Sequence, residues 1–484
     1  MAEVLKDLEP KKVFQFFEKI TQIPHGSNNE KQISDYLVSF AKQRNLEVIQ
    51  DSANNVVIRK PGSRGYENSP TVVLQGHMDM VCEKNSDVDI DFEKDPLQLE
   101  IDGDYIKAKG TTLGGDDGIA VAYALAILDS DDIKHPPLEV LITTNEENGM
   151  TGAAVLKGDE IKGKLLINLD SEDEGKLLVS CAGGLRSKVK LPITRDSKTV
   201  SEAYEIKISG LNGGHSGDDI NKERANANIT LGRVLVNIYK NVEFRLVEIN
   251  GGAKNNAIPR EAKAVISFDP SKKSELEALI KDWNSILKNE YKNTDADIKV
   301  ELSSAAGVSF KVFTKEATEK TIKLTHVMPN GIYTMSTDIK GLVQSSTNVG
   351  ILTTEEDSVV YDSAVRSSVR SLKYDILNHT EIIAEAFGAK VEVTSEYPEW
   401  EYQKDSKLRD LFTKVYKDLY NEEPKVVAIH AGVECGLFNE KFGGLDMVSL
   451  GPDIKDIHTP KEKLGISSTK RTWEYVLKVL EELK

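Results

Sequence analysis

Residues 71–80 read TVVLQGHMDM, and this stretch combines a signal for the fold with a signal for chemistry. An apolar, β-branched run of this length is typical of a strand buried on both faces of a largely parallel sheet. His77 and Asp79 follow the run directly. Ligands of open α/β sheets bind beyond the carboxyl ends of the strands. The stretch therefore predicts a polar site at that edge of the sheet.

Three further apolar runs lead to side chains that can bind metal. They are LEVLITT before Glu147, KLLINLD ending on Asp170, and LDMVSLGPDIKDI before His458. Asp116 lies in the glycine loop TTLGGDDG. Mixed imidazole and carboxylate ligands suit zinc, with manganese or cobalt as substitutes. The three carboxylates and a bridging hydroxide would carry four negative charges, which two divalent ions neutralise, so the sequence predicts a site for two metal ions.

The spacing within these motifs suggests how the side chains could cooperate, although each motif alone also has an ordinary structural interpretation. On an extended strand end, His77 and Asp79 face the same way, so the carboxylate can accept a hydrogen bond from the imidazole. The adjacent Glu146 and Glu147 would repel each other unless a cation is near. One could then bind metal while the other serves as a general base. The acids at 172–174 are interpreted as a solvated loop.

Composition limits the class of protein. The chain has 484 residues, with 39% hydrophobic and 29% charged residues, as expected for a globular protein of more than one domain. Its formal net charge of −16 argues against nucleic acid or an anionic membrane as the main partner. No apolar run approaches the roughly 18 residues of a membrane helix, and the N-terminus does not resemble a secretory signal. Three cysteines at unrelated spacings favour a reducing, cytoplasmic location.

The order of helical and strand patterns predicts a discontinuous α/β domain. From residue 11 to about 180, helices and strands alternate, as in a doubly wound fold with a mostly parallel sheet. After that point alternating strands dominate, as in an α+β domain. Since His458 must join ligands from the first 170 residues, we expect residues 1–184 and 398–484 to form one catalytic domain. Residues 185–397 would be an inserted lid or dimerisation domain.

The predicted insertion carries three candidate residues of its own. His215 lies in the glycine-flanked motif LNGGHSG, and Asn256 lies in GGAKNNAIP. Arg366, in VVYDSAVRSSVRS, could bind a substrate carboxylate through two hydrogen bonds. Each of these segments, seen alone, is also typical of an ordinary turn or surface. The sequence assigns no role to Asp117 or Glu434.

Together these segments resemble the co-catalytic zinc peptidases, the family that includes peptidase T, aminoacylases and glutamate carboxypeptidases. The likeness covers nearly the whole chain. The matching motifs are IPHGSNNE, LQGHMDMVCEK, GTTLGGDDGIAVA, TTNEENGMTGA, INLDSEDEG, GLNGGHSGDDI, NNAIPREA, HAGVECGLF and GPDIKDIHTP. The resemblance is strongest to the members that cleave dipeptides, Xaa-His included. It implies a cytosolic enzyme that hydrolyses unblocked dipeptides.

The resemblance also implies roles for individual residues. One zinc would be held by His77, Asp116 and Asp170, and the second by Asp116, Glu147 and His458. Glu146 would be the general base for a water that bridges the metals, and Asp79 would support His77. His215 would contact the reacting carbonyl, in some members from the neighbouring subunit, while Asn256 and Arg366 would contact the substrate. A cis peptide is expected after Asp116.

Two other functions remain open from the sequence. The same fold could serve an amidohydrolase, such as an N-acyl amino acid deacylase or a carboxypeptidase. A non-catalytic, metal-dependent binding protein is a more distant alternative, and the Glu146–Glu147 pair argues against it because a binding protein needs no base. The insertion could mediate a homodimer or could mimic a dimer partner within one chain.

Overall fold

A computed structural model describes residues 3–307 and 309–484. Within these residues the Cα positions form two compact units. Unit 1 contains the described residues up to Ser180, together with Tyr402–Ala428 and Val433–Lys484. Unit 2 contains Cys181–Glu401 and Ile429–Gly432. None of the helices described is long and apolar enough to cross a membrane.

The first part of the chain alternates helices and strands. The helices are α1 (Lys11–Thr21), α2 (Lys31–Gln43), α3 (Gly115–Leu128) and α4 (Thr151–Ala154). The strands are β1 (Glu47–Gln50), β2 (Val56–Lys60), β3 (Val72–His77), β4 (Leu99–Asp102), β5 (Tyr105–Ala108), β6 (Leu138–Thr143), β7 (Leu165–Asn168) and β8 (Lys176–Cys181).

The middle part is rich in strands. They are β9 (Gly183–Pro192), β10 (Arg195–Val200), β11 (Tyr204–Ser209), β12 (Gly214–His215), β13 (Phe244–Gly251), β14 (Ala257–Ile258), β15 (Ala262–Phe268), β16 (Lys299–Ser304), β17 (Phe310–Phe313), β18 (Gly331–Met335), β19 (Val343–Thr354), β20 (Ser358–Ser367) and β21 (Lys390–Tyr397). The helices are α5 (Ala227–Tyr239), α6 (Lys273–Glu290), α7 (Lys315–Val327) and α8 (Arg370–Phe387).

The last part returns to alternating elements. The helices are α9 (Lys407–Tyr420), α10 (Glu434–Phe442) and α11 (Ile466–Glu482). The strands are β22 (Lys425–Ile429), β23 (Asp446–Ser449), β24 (Ile454–Lys455) and β25 (Lys463–Gly465).

The main sheet of unit 1 is mixed, with parallel strands at its centre. Its order is β1-β2-β6-β3-β7-β23-β8-β22. Strand β3 runs parallel to β6 and β7, and β7 runs parallel to β23. Every residue of β3 and β6 is buried, which explains why both read as continuous apolar runs. The prediction of an α/β fold with a mostly parallel sheet is confirmed.

The parallel register places the predicted ligands at one edge of this sheet. His77, the last residue of β3, pairs with Thr143, the last residue of β6. Gln75 of β3 pairs with Asn168, the last residue of β7. The loops that follow β3, β6 and β7 therefore start side by side, and Asp79, Glu147 and Asp170 lie on these loops.

Unit 2 is built on one continuous antiparallel sheet. Its order is β16-β11-β15-β13-β19-β20-β9-β21, and β18 pairs with β19 as an additional strand. Its largest core cluster draws buried side chains from the sheet and from helices α5, α6, α7 and α8, among them Leu235, Trp283, Ile322 and Tyr361. The short strands β12 and β14 pair with each other outside this sheet, and they carry the motifs of His215 and Asn256.

Candidate metal centre

The first group of potential ligands joins the end of β3, the start of α3, where Asp116 has non-helical backbone angles, and the loop after β7. The imidazole Nε2 of His77 lies 3.0 Å from Oδ1 of Asp116 and 3.6 Å from Oδ1 of Asp170. Each residue offers one ligand atom, and these atoms all lie within 4.8 Å of one another. His77 is only 1% exposed, so its orientation is fixed by its surroundings.

The second group shares Asp116 with the first. Nε2 of His458 lies 2.9 Å from Oε1 of Glu147 and 3.3 Å from Oδ2 of Asp116. The two oxygens of Asp116 thus face two different imidazoles. This is the arrangement required of a carboxylate that bridges two cations, because each oxygen can serve a different ion.

The donor atoms are spaced as metal ligands would be. Zinc binds nitrogen and oxygen at about 2.0–2.2 Å, so neighbouring ligands of a tetrahedral ion lie roughly 3.3 Å apart. The imidazole-to-carboxylate distances in the two groups run from 2.9 to 3.6 Å. Imidazole and carboxylate are also the ligand types that zinc accepts. The residues present therefore fit a pair of divalent cations.

The electrostatics of the cluster point the same way. Hydrogen bonds to Asp116 and Glu147 raise the pKa of His458 to about 10, against the effect of burial. Burial would lower the pKa of His77, but Asp170, Asp116 and Asp79 together raise it well above its usual range. Without metal, positive charge on these rings is strongly favoured. Divalent cations would replace those protons and meet the same demand for positive charge.

Asp79 organises the loop that carries the Glu146–Glu147 pair. Its carboxylate accepts hydrogen bonds from Oγ of Ser27 at 2.8 Å and from the backbone N–H groups of Glu146 at 3.0 Å and Glu147 at 3.4 Å. Nδ1 of His77 lies 3.0 Å from the main-chain oxygen of Asp79 and 3.6 Å from its carboxylate. The imidazole is therefore held more closely by the backbone of Asp79 than by the side chain expected from the sequence.

Glu146 is half-buried next to this cluster without belonging to either group of ligands. Burial raises the pKa of its carboxyl well above the usual range, and the charges of Asp170, Glu434 and Glu147 add to the effect while His77 opposes it. A carboxyl group that holds its proton more firmly is suited to exchange one with a substrate near neutral pH.

Asp117 binds the backbone of the strand end that carries His77. The peptide bond between Asp116 and Asp117 is cis, as the resemblance implied. Oδ2 of the buried Asp117 accepts the backbone N–H of His77 at 3.2 Å. A Cβ atom at Gly76 would lie 2.5 Å from that oxygen, so only glycine fits beside it. Asp117 thus helps to fix the strand end that presents His77.

Glu434, for which the sequence offered no role, lies under the strand ends. Its side chain is 1% exposed, and its Oε2 accepts hydrogen bonds of 2.7 Å from Nε2 of Gln75 and Oγ1 of Thr143. Oε1 has no hydrogen-bond partner. Burial raises the pKa of this carboxyl to about 8, and the charge of Asp170 adds to the effect. A protonated acid is therefore buried beneath the cluster at neutral pH.

Burial of Glu434 predicts that the stability of the folded chain depends on pH, and the substitution Glu434→Gln should remove this dependence. The folded chain keeps the Glu434 proton up to about pH 8, whereas the unfolded chain loses it near 4.5. Stability from this group is fully present below pH 4.5 and falls as pH rises through the window, by about 1.4 kcal/mol per unit. In urea unfolding of the metal-free protein, the free energy of unfolding of Glu434→Gln should rise relative to that of the wild type as the pH increases from 5 to 8. If the free energies of unfolding of the two proteins changed with pH in parallel, the prediction would be contradicted.

The acidic run at 172–174 is only in part the solvated loop predicted from the sequence. All three residues are partly buried. The carboxylate of Glu174 accepts two hydrogen bonds of 2.6 Å from the guanidinium of Arg471 on α11. Burial raises the pKa of Glu172 to about 7, and Asp116 and Asp170 contribute. The interpretation as a solvated loop is wrong for Glu172, which is partly buried, and for Glu174, which pairs with an arginine from a distant part of the chain, whereas the side chain of Asp173 is 50% exposed.

Unit 2 brings together the loops of His215 and Asn256. His215 of β12 pairs with Ala257 of β14, and the backbone N–H of Ser216 donates to the main-chain oxygen of Asn256 at 2.9 Å. Nδ1 of His215 lies 3.0 Å from a carboxylate oxygen of Asp218, and the histidine side chain is 36% exposed. The imidazole is thus oriented and remains available at the surface of unit 2.

Arg366 lies in a buried polar cluster of unit 2 that includes a histidine missed in the sequence. Its guanidinium donates to the hydroxyl of Tyr397 at 2.9 Å, while its Nε has no partner. Nε2 of His430 lies 2.7 Å from Oγ of Ser346, and its Nδ1 also has no partner. Burial, with the charges of Arg366 and His215, lowers the pKa of His430 to about 3. The cluster thus keeps two buried nitrogen atoms without a hydrogen-bond partner.

Comparison with known proteins identifies the class. The family model described as Peptidase family M20/M25/M40 matches residues 73–482. The chain therefore belongs to this family of peptidases, which confirms the resemblance seen in the sequence and the prediction of an enzyme.

Two relatives resemble the chain along its full length. It is 39% identical over 480 residues to the cytosol non-specific dipeptidase of Escherichia coli (strain K12), with 99% of each chain covered. The crystal structure of aminoacylhistidine dipeptidase from Vibrio alginolyticus matches with a TM-score of 0.94 and 40% identity, covering 99% of this chain and 97% of that one. Aminopeptidase PepT from Bacillus cereus ATCC 10987, at 16% identity and a TM-score of 0.56 over 98% of this chain and 99% of its own, shares the fold.

Proposed function

We propose that this chain is a cytosolic metallodipeptidase that hydrolyses unblocked dipeptides, Xaa-His among them. The observation that carries the proposal is the position of Asp116, whose two carboxylate oxygens face His77 and His458 separately. The substrate class is supported by two full-length relatives, one named a non-specific dipeptidase and the other an aminoacylhistidine dipeptidase.

Two divalent cations, zinc in our proposal with cobalt or manganese as substitutes, would occupy the two groups of ligands. His77, Asp116 and Asp170 would hold one, and Asp116, Glu147 and His458 the other. When bound, such ions lower the pKa of water and polarise a carbonyl oxygen.

The protein side chains would then supply proton transfer and orientation. Glu146 takes the proton of the attacking water and later delivers it to the departing amine. Its backbone N–H donates to the carboxylate of Asp79, which holds the main chain from which its side chain extends. His215 donates a hydrogen bond to the oxygen on which negative charge develops. Its loop is tied to that of Asn256, to which we assign a contact with the substrate.

The polar cluster of Arg366 would recognise the terminal carboxylate of the dipeptide. Arg366 and His430 each have a buried nitrogen without a partner. A buried donor without an acceptor costs about 1–3 kcal/mol, and a carboxylate would remove that cost at both positions. In the tautomer in which Nε2 of His430 accepts from the Ser346 hydroxyl, the other ring nitrogen carries the hydrogen and would donate to the substrate.

Replacing Arg366 by lysine is expected to raise KM for free dipeptides by about 10- to 100-fold, because a bidentate, charge-assisted pair is lost. The same substitution should have little effect on dipeptide amides, which lack the carboxylate. Arg186→Lys is the matched control, since Arg186 in the same sheet is already paired with Asp362. An equal loss for the free and amidated substrates would remove Arg366 from carboxylate binding.

The function is tested by metal analysis joined to a substrate panel. The purified protein should contain divalent metal, hydrolyse free dipeptides, and lose that activity in a chelator. N-acetylated dipeptides should not be cleaved, since a dipeptidase needs the free amine. Preference for the acetylated forms would instead establish an amidohydrolase. No hydrolysis with zinc, manganese or cobalt across the panel would favour a metal-dependent binding protein.

The inserted region is proposed to carry substrate recognition, and a homodimer formed through it is part of the same proposal. Sedimentation or scattering measurements on the active protein give its oligomeric state directly. Neither nucleic acid nor membrane is a partner in this proposal.

A further inference from the structure

We propose that Glu462 is a positioning residue of the metal centre, which holds the shared ligand Asp116 in register with His458. This inference rests on the proposed function. Glu462 belongs to neither group of ligands. Its carboxylate instead binds the backbone of the loop from which Asp116 projects.

Four consecutive backbone N–H groups point at this one carboxylate. Oε2 accepts from Leu113 at 2.7 Å and Gly114 at 3.2 Å, and Oε1 accepts from Gly115 at 2.8 Å and Asp116 at 3.4 Å. Successive N–H groups converge in this way when a left-handed residue interrupts the backbone. Gly114 provides it, with φ at 68°. The side chain of Glu462 is 3% exposed, so water does not compete for these donors.

Glu462 is close in the chain to His458, a ligand of the second group, so its contact with the 113–116 loop affects both ligands. Glu462 lies four residues after His458, and its own backbone N–H donates to the main-chain oxygen of Thr459 at 3.0 Å. One side chain therefore connects the segment that presents His458 to the loop that presents Asp116. The 3.3 Å between Nε2 of His458 and Oδ2 of Asp116 depends on this connection.

A purely structural role would make a different prediction, and unit 1 offers a matched case. Glu139 is also 3% exposed, and its Oε2 accepts the backbone N–H groups of Lys162 at 2.7 Å and Gly163 at 2.9 Å. Its Oε1 pairs with Arg59. None of its partners is a candidate ligand. Glu139→Gln should therefore cost stability without changing how tightly metal is held.

The test is a chelator challenge of the zinc-loaded, full-length protein. Glutamine at 462 keeps one acceptor oxygen but turns an amide NH₂ towards two of the four N–H groups. We expect Glu462→Gln to lose zinc at about 10- to 100-fold lower chelator concentration than the wild type, the usual effect of removing a group that orients a ligand. Glu139→Gln should lose zinc as the wild type does. Cobalt(II)-substituted Glu462→Gln should also show a shifted visible spectrum.

Glu462→Asp provides a second variant, because its shorter carboxylate keeps the charge but reaches fewer of the N–H groups. It should release zinc at a chelator concentration between those of Glu462→Gln and the wild type. If the glutamine variant does not fold, Glu462→Asp is compared with the wild type instead. Wild-type retention in both variants, or an equal loss in Glu139→Gln, would overturn the inference. A wild type that binds no divalent metal would instead overturn the proposed function, so the two failures are distinguishable.

Discussion

Substitution of Asp116 by asparagine is expected to remove metal from both groups of ligands and with it the hydrolysis of dipeptides. Each oxygen of Asp116 faces a different imidazole, and an amide nitrogen in place of either oxygen cannot bind a cation. Turnover should fall by at least about 1000-fold, since the contribution of a general base, on the order of 10²–10⁴, also needs the activated water. Metal content and turnover of the purified variant measure both effects.

Asp173→Asn is the control for this substitution. Asp173 lies a few residues beyond the ligand Asp170 and pairs with Lys176 on the protein's own surface. It should keep its metal and its activity. An Asp116→Asn variant that retained two metal equivalents would show that the carboxylate does not bridge, and the assignment of the second group of ligands would fall with it.

Substitution of Glu146 by glutamine should have a different signature, with metal retained and turnover lost. The carboxylate belongs to neither group of ligands, and its backbone stays anchored by Asp79. Loss of a general base lowers kcat by about 10²–10⁴. Zinc content, substrate affinity and kcat measured on one preparation would separate this outcome from that of Asp116→Asn.

Glu174→Gln serves as the control, since Glu174 is a partly buried glutamate that pairs with Arg471 and has no assigned role. It should turn over substrate as the wild type does. A Glu146→Gln variant with more than a tenth of wild-type kcat would show that another group moves the proton.

The sequence predicted the sheet and the edge where the candidate site lies. His77 and Asp170 follow runs so apolar that only buried central strands explain them, and the parallel register then brings their loops together. His458 also follows an apolar run, but it lies 288 positions after Asp170, and its grouping with Asp116 and Glu147 around one metal is implied only by the resemblance to a family.

Other parts of the site had no local signal. Glu434 and Glu462 bind partners that are far away in the chain. Glu434 accepts a hydrogen bond from Thr143, and Glu462 accepts hydrogen bonds from the 113–116 loop. Glu174 looks solvated in the sequence because its partner, Arg471 on α11, lies almost 300 residues further along the chain. His430 escaped notice because residues 429–432 group with unit 2 although the chain on both sides of them belongs to unit 1.

The single carboxylate shared by the two groups of ligands also has a thermodynamic consequence. A cation bound through one oxygen of Asp116 withdraws charge from the other, so the affinity of the second position depends on whether the first is filled. Such coupling is reciprocal by necessity. In our proposal the two ions therefore load as a linked pair, and an equilibrium titration should deviate from two independent binding isotherms.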